Sequence, residues 1–338
     1  MLKLAALACA ALVGAGAALA SPTLDRVRAV NTLSCGVITT PEDWNKIDLH
    51  GPLGPLGVEI CKAVTVAALG PEGRLAVRAY AAEPDAEEAL HKSAVDLIVG
   101  VTPSASAMWH WTIAFGPPVL YDGQGFLVRK DAQVKSLAML AGMRVCVIEG
   151  TDNEKILLAR TRASGIAIIP LPFQEEGEME DGFAVRHCDA ISAYLSKLAQ
   201  AQKAYPKQLG DDVTLPDLLT LSPVAPAYRQ GDEQWGMMID WTIHALVQAG
   251  ASGVTAASLA DKLTSEDPVV QRLLGVDWAA SRALGLNRHD WAAQVIAILG
   301  NYGEIYDRTV GLKSALGMPR GLNALWREGG LMHPLPVQ

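Results

Sequence analysis

Strand-like and helix-like segments alternate twice along this chain, and that alternation limits the possible folds more than any other feature. "LSCGVI" (33–38), "RLAVRAYAA" (74–82) and "VDLIVGV" (95–101) are apolar or alternating runs that predict strands. Between them, "GVEICKAVTVAAL" (57–69) has apolar residues at helical spacing, and "PDAEEALHKSA" (84–94) is a helix opened by Pro84. The pattern then repeats. "RVCVIEG" (144–150), "AIIPLPF" (167–173) and "DAISAY" (189–194) predict strands. "TDNEKILLARTRA" (151–163) and "EMEDGFAVRHC" (178–188) predict helices. Thr151 followed by Glu154 predicts a capping box at the first of these helices.

Two βαβαβ sets imply an α/β protein with two parallel-sheet lobes. "AFGPPVLYDGQGFLVRK" (114–130) is extended and Gly/Pro-punctuated, which suits a crossing between lobes, and "LTLSPVAPAY" (219–228) suits a second. From there to the end the chain is helical, so its last third is expected to pack back on the first lobe. The expected limits are 21–122 for the first lobe, 123–222 for the second with its crossings, and 223–338 for the return and C-terminal helices. Two lobes joined by two crossings make a clam shell, its cleft faced by strand C-termini and helix N-termini.

At its start the chain has Lys3 and then "LAALACAALVGAGAALA", ending in Ala18-Leu19-Ala20. A basic start, an apolar core and small residues before Ser21 read as a secretory signal over 1–20, cut after Ala20, which places the mature protein in the periplasm. Beyond Cys9 four cysteines remain, Cys35, Cys61, Cys146 and Cys188. An even number in an oxidising compartment favours two disulfides, and sequence alone leaves three pairings open. No Cys or His spacing fits a metal, so none is expected. A net charge of −8 without a Lys/Arg cluster argues against nucleic acid or an anionic membrane as a partner.

Catalytic and cofactor motifs are missing: no GxSxG, HExxH, P-loop or dinucleotide fingerprint occurs, and no cofactor is expected. "EEGEMED" (175–181) and "GDD" (210–212) read as solvated acidic faces. The unusual stretch follows the third strand: "VGVTPSASAMWHWTIAF" (99–115) is an uncharged, turn-rich segment with His110 between Trp109 and Trp111. It stands where an α/β cleft usually carries polar groups.

Several long motifs carry a family resemblance: "LSCGVITT", "YDGQGFLVRK", "RVCVIEGTDNE", "RHCDAISAY", "SPVAPAYRQGDEQW", "GNYGEIYDRTVG" and "RGLNALWREGGL". Together they resemble the general L-amino-acid-binding proteins of polar amino-acid ABC transporters, from about residue 25 to the C-terminus. That resemblance implies a type II periplasmic-binding-protein fold, a small-molecule solute as ligand, an inner-membrane ABC permease as partner, and a monomer. It also implies the pairings Cys35–Cys61 and Cys146–Cys188. Because some proteins of this fold resemble periplasmic cyclohexadienyl dehydratases, an enzyme is the alternative in another class. An accessory protein without transport is a third.

Binding an α-amino acid means desolvating both its charges, which calls for a guanidinium at the carboxylate and a carboxylate at the ammonium. The family supplies the Arg after a first-lobe strand and the Asp after a second-lobe strand. Counting back from "YDGQGF" puts the Arg position on Ala107, and counting from "CDA" puts the Asp position on Tyr194. Residues 79–128 contain no arginine, so shifting the alignment cannot restore it. What the resemblance leaves as ligand-facing is Trp44 in the first loop, Thr102, Ser104 and Trp109 after the third strand, Thr151 and Asp152 at a helix start, and Tyr194. Asp152 stands where the family has a small hydroxyl residue, with Glu149 before it. Such a cleft suits a cationic or aromatic-compatible solute better than a plain L-amino acid, with the tryptophan faces open to a cation. On the alternative view, Trp109 and Trp111 belong to the first-lobe core.

Overall fold

The computed structural model describes residues 21–39, 53–204, 211–276 and 278–336. The chain forms two separate sheets. In the first, β1 (Thr32–Ile38), β2 (Arg74–Tyr80) and β3 (Leu97–Val101) run parallel, in the order β2-β1-β3. β4 (Ile113–Phe115) and β5 (Leu120–Asp122) join the same sheet through a later strand. β6 (Gln124–Val128) starts the second sheet, in which β7 (Arg144–Ile148) lies parallel to β8 (Ile169–Phe173) and β9 (Ala190–Tyr194). β10 (Val213–Thr214) sits on its edge beside β6. β11 (Ser222–Arg229) then returns to the first sheet and pairs with β3, β4 and β5.

The sheets differ from the expected parallel ones, because both are mixed. β11 runs antiparallel to β3, β4 and β5, and β6 runs antiparallel to β9 and β10. The reversed strands are those leading into or out of a crossing. β5 and β11 pair side by side at the waist, Asp122 opposite Ser222 and Leu120 opposite Val224. Gly123 follows at once, and a Cβ there would lie 2.3 Å from the Thr220 carbonyl oxygen, so only glycine lets the two crossings come this close.

Helices cover the sheets as their apolar spacing demands. α1 (Pro22–Val30) and α2 (Gly54–Leu69) pack on the first sheet, and α2 stops at Gly70, whose φ of 83° suits glycine. α3 (Glu83–His91) lies on its other face. The segment expected as a turn before "MWHW" is instead a short helix, α4 (Ala105–Trp111), whose start is capped by Ser104 Oγ accepting the Ala107 N–H at 3.1 Å. In the second lobe, α5 (Asp152–Ala163), α6 (Glu176–Ala184) and α7 (Leu195–Ala204) flank the sheet. At α5 the Thr151 hydroxyl accepts the Glu154 N–H, as a capping box requires. The Glu154 carboxylate, however, takes the Gly150 N–H at 2.8 Å rather than that of Thr151, so the box is only half formed.

The long helix α8 (Glu233–Ala251) and the helices Trp291–Leu299 and Tyr302–Thr309 pack back on the first lobe with α2. They build one continuous core that includes Trp235, Ile239, Ile296, Tyr302 and Tyr306. The tail then ties itself to the waist: the Asn323 side chain bonds both the Tyr121 N–H (2.6 Å) and the Tyr121 carbonyl (2.9 Å). Cys35 is bonded to Cys61, joining β1 to α2, and Cys146 to Cys188, joining β7 to the approach to β9. These are the pairings that the family resemblance implies. No helix among the described residues is long and apolar enough to cross a membrane.

Candidate functional site

Strand ends from both sheets meet at the cleft. A cavity of about 330 Å3 there is walled on the first-lobe side by Ile38, Thr39, Ala81, Glu83, Gly100 and Thr102. Asp122, Ser222 and Val224 of the crossings form its floor, and Tyr194, Ser196 and Lys197 its second-lobe side. Ile38 and Tyr194 each end a strand, while Ala81 and Thr102 come directly after one, so the cleft lies where an α/β sheet exposes its loops and helix starts.

Glu83 is the first residue of α3, and its carboxylate turns toward the end of β3. It accepts the Thr102 N–H and the Thr102 hydroxyl, both at 3.1 Å. Burial nevertheless raises its pKa above the ordinary carboxylate value, outweighing the two Thr102 hydrogen bonds. One turn on, Glu87 is bonded to Trp111, and it too is raised, by burial first and then by the neighbouring charge of Glu83. Asp122 is buried under the cleft. Its carboxylate takes the Gly123 N–H (2.8 Å) and the Ser196 hydroxyl (2.5 Å), so its bonding capacity holds the crossing in place.

A second cavity, about 340 Å3, opens on the second-lobe side and shares Tyr194 and Lys197 with the first. Thr151, Asp152, Asn153, Glu176, Glu180 and Ser192 also line it. Lys197 Nζ is paired with Glu176 at 3.0 Å. Glu180 lies deeper in the wall than a solvated acidic face would, and its pKa is raised to about 7, chiefly by burial and then by the charge of Glu176. Beneath it Gln124, fully buried, donates from its amide to the Asn153 carbonyl (2.8 Å) and to Ser192 Oγ (3.0 Å), fixing the start of α5 against β9.

Of the residues singled out in the sequence, Thr102 and Tyr194 line the central cavity, while Thr151, Asp152 and Tyr194 line the second. Ser104 caps α4 and Asp152 pairs with Lys155 at 2.9 Å. Trp109 projects into solvent, 89% exposed, and Trp111 packs partly into the small cluster under α3 and α4 with His110 edge-on at 4.3 Å. Trp44 lies outside the described residues. Ala107 is buried in that same cluster, with Ala86, Leu90, Val101 and Ile113. Glu83, Lys197, Gln124 and Glu180 were not singled out by the sequence. The only hint of Glu83 is an acid that opens a helix immediately after a strand. Among the described residues no cluster of His, Cys, Asp and Glu fits a metal ion.

Residues of both lobes thus line a two-sided cleft with cavities of small-solute size. No family model matches the chain. It is 34% identical over 336 residues to the general L-amino acid-binding periplasmic protein AapJ of Rhizobium johnstonii, covering 96% of this chain and 95% of that one. This chain belongs to the family of periplasmic amino-acid-binding proteins of ABC transporters. The binding protein is also 35% identical, over 98% of its own length and 97% of its relative's, to the glutamate/glutamine/aspartate/asparagine-binding protein BztA of Rhodobacter capsulatus. Among solved structures it resembles a periplasmic binding protein from Brucella ovis with glutathione bound. There the TM-score is 0.75 and the identity 30%, over 94% of this binding protein and 99% of that chain. The family and fold expected from the motifs therefore hold, and these relatives are binding proteins.

Proposed function

We propose that this binding protein, exported and cut after Ala20, works as a monomer that delivers an amine-bearing solute to an inner-membrane ABC permease. The solute is not gripped by an α-carboxylate clamp. One observation carries the reading: the position expected for the clamp arginine is Ala107, buried in an apolar cluster, and 79–128 holds no arginine. A buried ligand carboxylate left without its cation would cost several kcal/mol. On the other wall Tyr194 stands at the expected Asp position and offers a ring and a hydroxyl instead of a charge. Glutathione in the Brucella ovis relative supports a cleft of this fold taking solutes other than free amino acids.

A thermal-shift panel of amines, quaternary ammonium compounds and the common L-amino acids tests this. A ligand at 100 times its Kd adds about 2.7 kcal/mol, a visible rise in melting temperature. The amines are expected to give the shifts and the L-amino acids none. The missing clamp favours one other reading, an accessory protein without transport, and no shift from any compound would support it. Incubation with prephenate or arogenate is expected to yield no aromatic product, and its appearance would make the protein an enzyme.

A further inference from the structure

We propose that the Glu83 carboxylate receives the ammonium of the solute, so the first-lobe wall carries an anion on the side where the family places a cation. This rests on the proposed amine ligand and names the group that recognises it. Glu83 lines the central cavity and faces the second-lobe residues Tyr194 and Lys197 across it. The donors at the end of β3, the Thr102 N–H and hydroxyl, are already given to Glu83. A ligand carboxylate arriving there would find both donors occupied and a negative charge beside them.

The other charged groups of the cavity are committed. Asp122 is held by Ser196 and Gly123, and Lys197 is paired with Glu176. Glu83 is not. An ionised carboxylate has roughly four acceptor sites; Thr102 uses two, and the rest can take N–H donors. The charge of an ammonium in the cavity would also offset the burial that raises the pKa of Glu83.

The alternative is that Glu83 merely ties the first turn of α3 to β3. Two substitutions in the mature protein separate these, read by calorimetry with putrescine, choline, L-glutamine and L-glutamate. Glu83→Gln keeps an acceptor for Thr102 but loses the charge, whereas Glu83→Asp keeps the charge. For an amine that the wild type binds, Glu83→Gln is expected to weaken binding about tenfold to a hundredfold, the range of a charge-assisted hydrogen bond. Glu83→Asp is expected to retain part of the affinity, and the ligand-free melting temperatures to stay close to wild type.

Equal binding by wild type and Glu83→Gln overturns the assignment but leaves the amine reading intact. Equal losses in Glu83→Gln and Glu83→Asp overturn it as well. If the wild type binds L-glutamine and Glu83→Gln loses it, the amine reading fails while Glu83 keeps its role at the ammonium. Binding of none of the four compounds overturns the assignment.

Discussion

The two lobes share an architecture but not a core. On one face of the first sheet, α2, α8 and the C-terminal helices bury a large continuous cluster running from Leu24 to Met332, while α3 and α4 cover a small one on the other. The second sheet has only two small clusters, one per face, the first around Phe126 and Val147 and the other around Phe183 and Leu198. Cys35–Cys61 is thus embedded in a large core, whereas Cys146–Cys188 lies in the smaller of the second lobe's clusters and makes up part of it. Stability should therefore be spread unevenly, with the second lobe depending on its cross-link and the first resting on buried apolar area.

The sharpest test of that contrast is removal of each disulfide. Replacing Cys146 and Cys188 together by Ala is expected to destabilise by roughly 4 kcal/mol, the loop-closure value for their separation of 42 residues. Replacing Cys35 and Cys61 removes a shorter loop of 26, for roughly 3.5 kcal/mol. The larger difference should appear in hydrogen exchange. Loss of the second-lobe bridge should open β7 and β9 selectively, and loss of the first-lobe bridge should not open β1 selectively. The reverse pattern would break the comparison.

The waist joining the lobes is next. Gly123→Ala places a methyl against the Thr220 carbonyl and is expected to cost about 1–3 kcal/mol, the usual penalty for overpacking. Denaturant melts would show it, and no loss would mean that the crossings can spread apart.

A smaller effect comes from Glu180 in the second-lobe wall. Its folded pKa of about 7 lies above the ordinary carboxylate value, so its contribution to stability is complete below about pH 4.5. That contribution is lost as pH rises through 7. Glu180→Gln, which cannot ionise, is therefore expected to melt higher than wild type at pH 8 and alike at pH 4. The gain should be modest because the group is only half-buried and its charge is screened. A gain of equal size at both pH values would point to packing rather than ionisation.

Much of this architecture was legible in the sequence because it rests on local periodicity. "LSCGVI", "VDLIVGV" and "DAISAY" are strands by apolar content alone, and the alternation with helices gives two lobes. The direction of β11 was not legible, since nothing local tells a strand that it must run against β3. α4 escaped because its seven residues, entered through Pro103 and Ser104, look like a turn until Ser104 is seen capping it.

In the cleft the balance is different. The family resemblance pointed to Thr102 and, by counting from a shared motif, to Tyr194, and both line the cavity. Glu83 remained hidden because an acid at a helix start is common for reasons of capping and dipole alone. Only the fold brings it within 3.1 Å of Thr102. Lys197 and Gln124 were hidden for the same reason, since their partners Glu176, Ser192 and Asn153 lie far from them along the chain.

The central claim is that the first-lobe wall no longer holds an amino-acid carboxylate. Calorimetric titration of the mature wild-type protein with L-glutamine and with L-glutamate tests it directly. The expected result is no binding tighter than about millimolar for either, corresponding to roughly −4 kcal/mol. Micromolar binding of either compound would contradict it, because the carboxylate would then be held by residues other than the one at position 107.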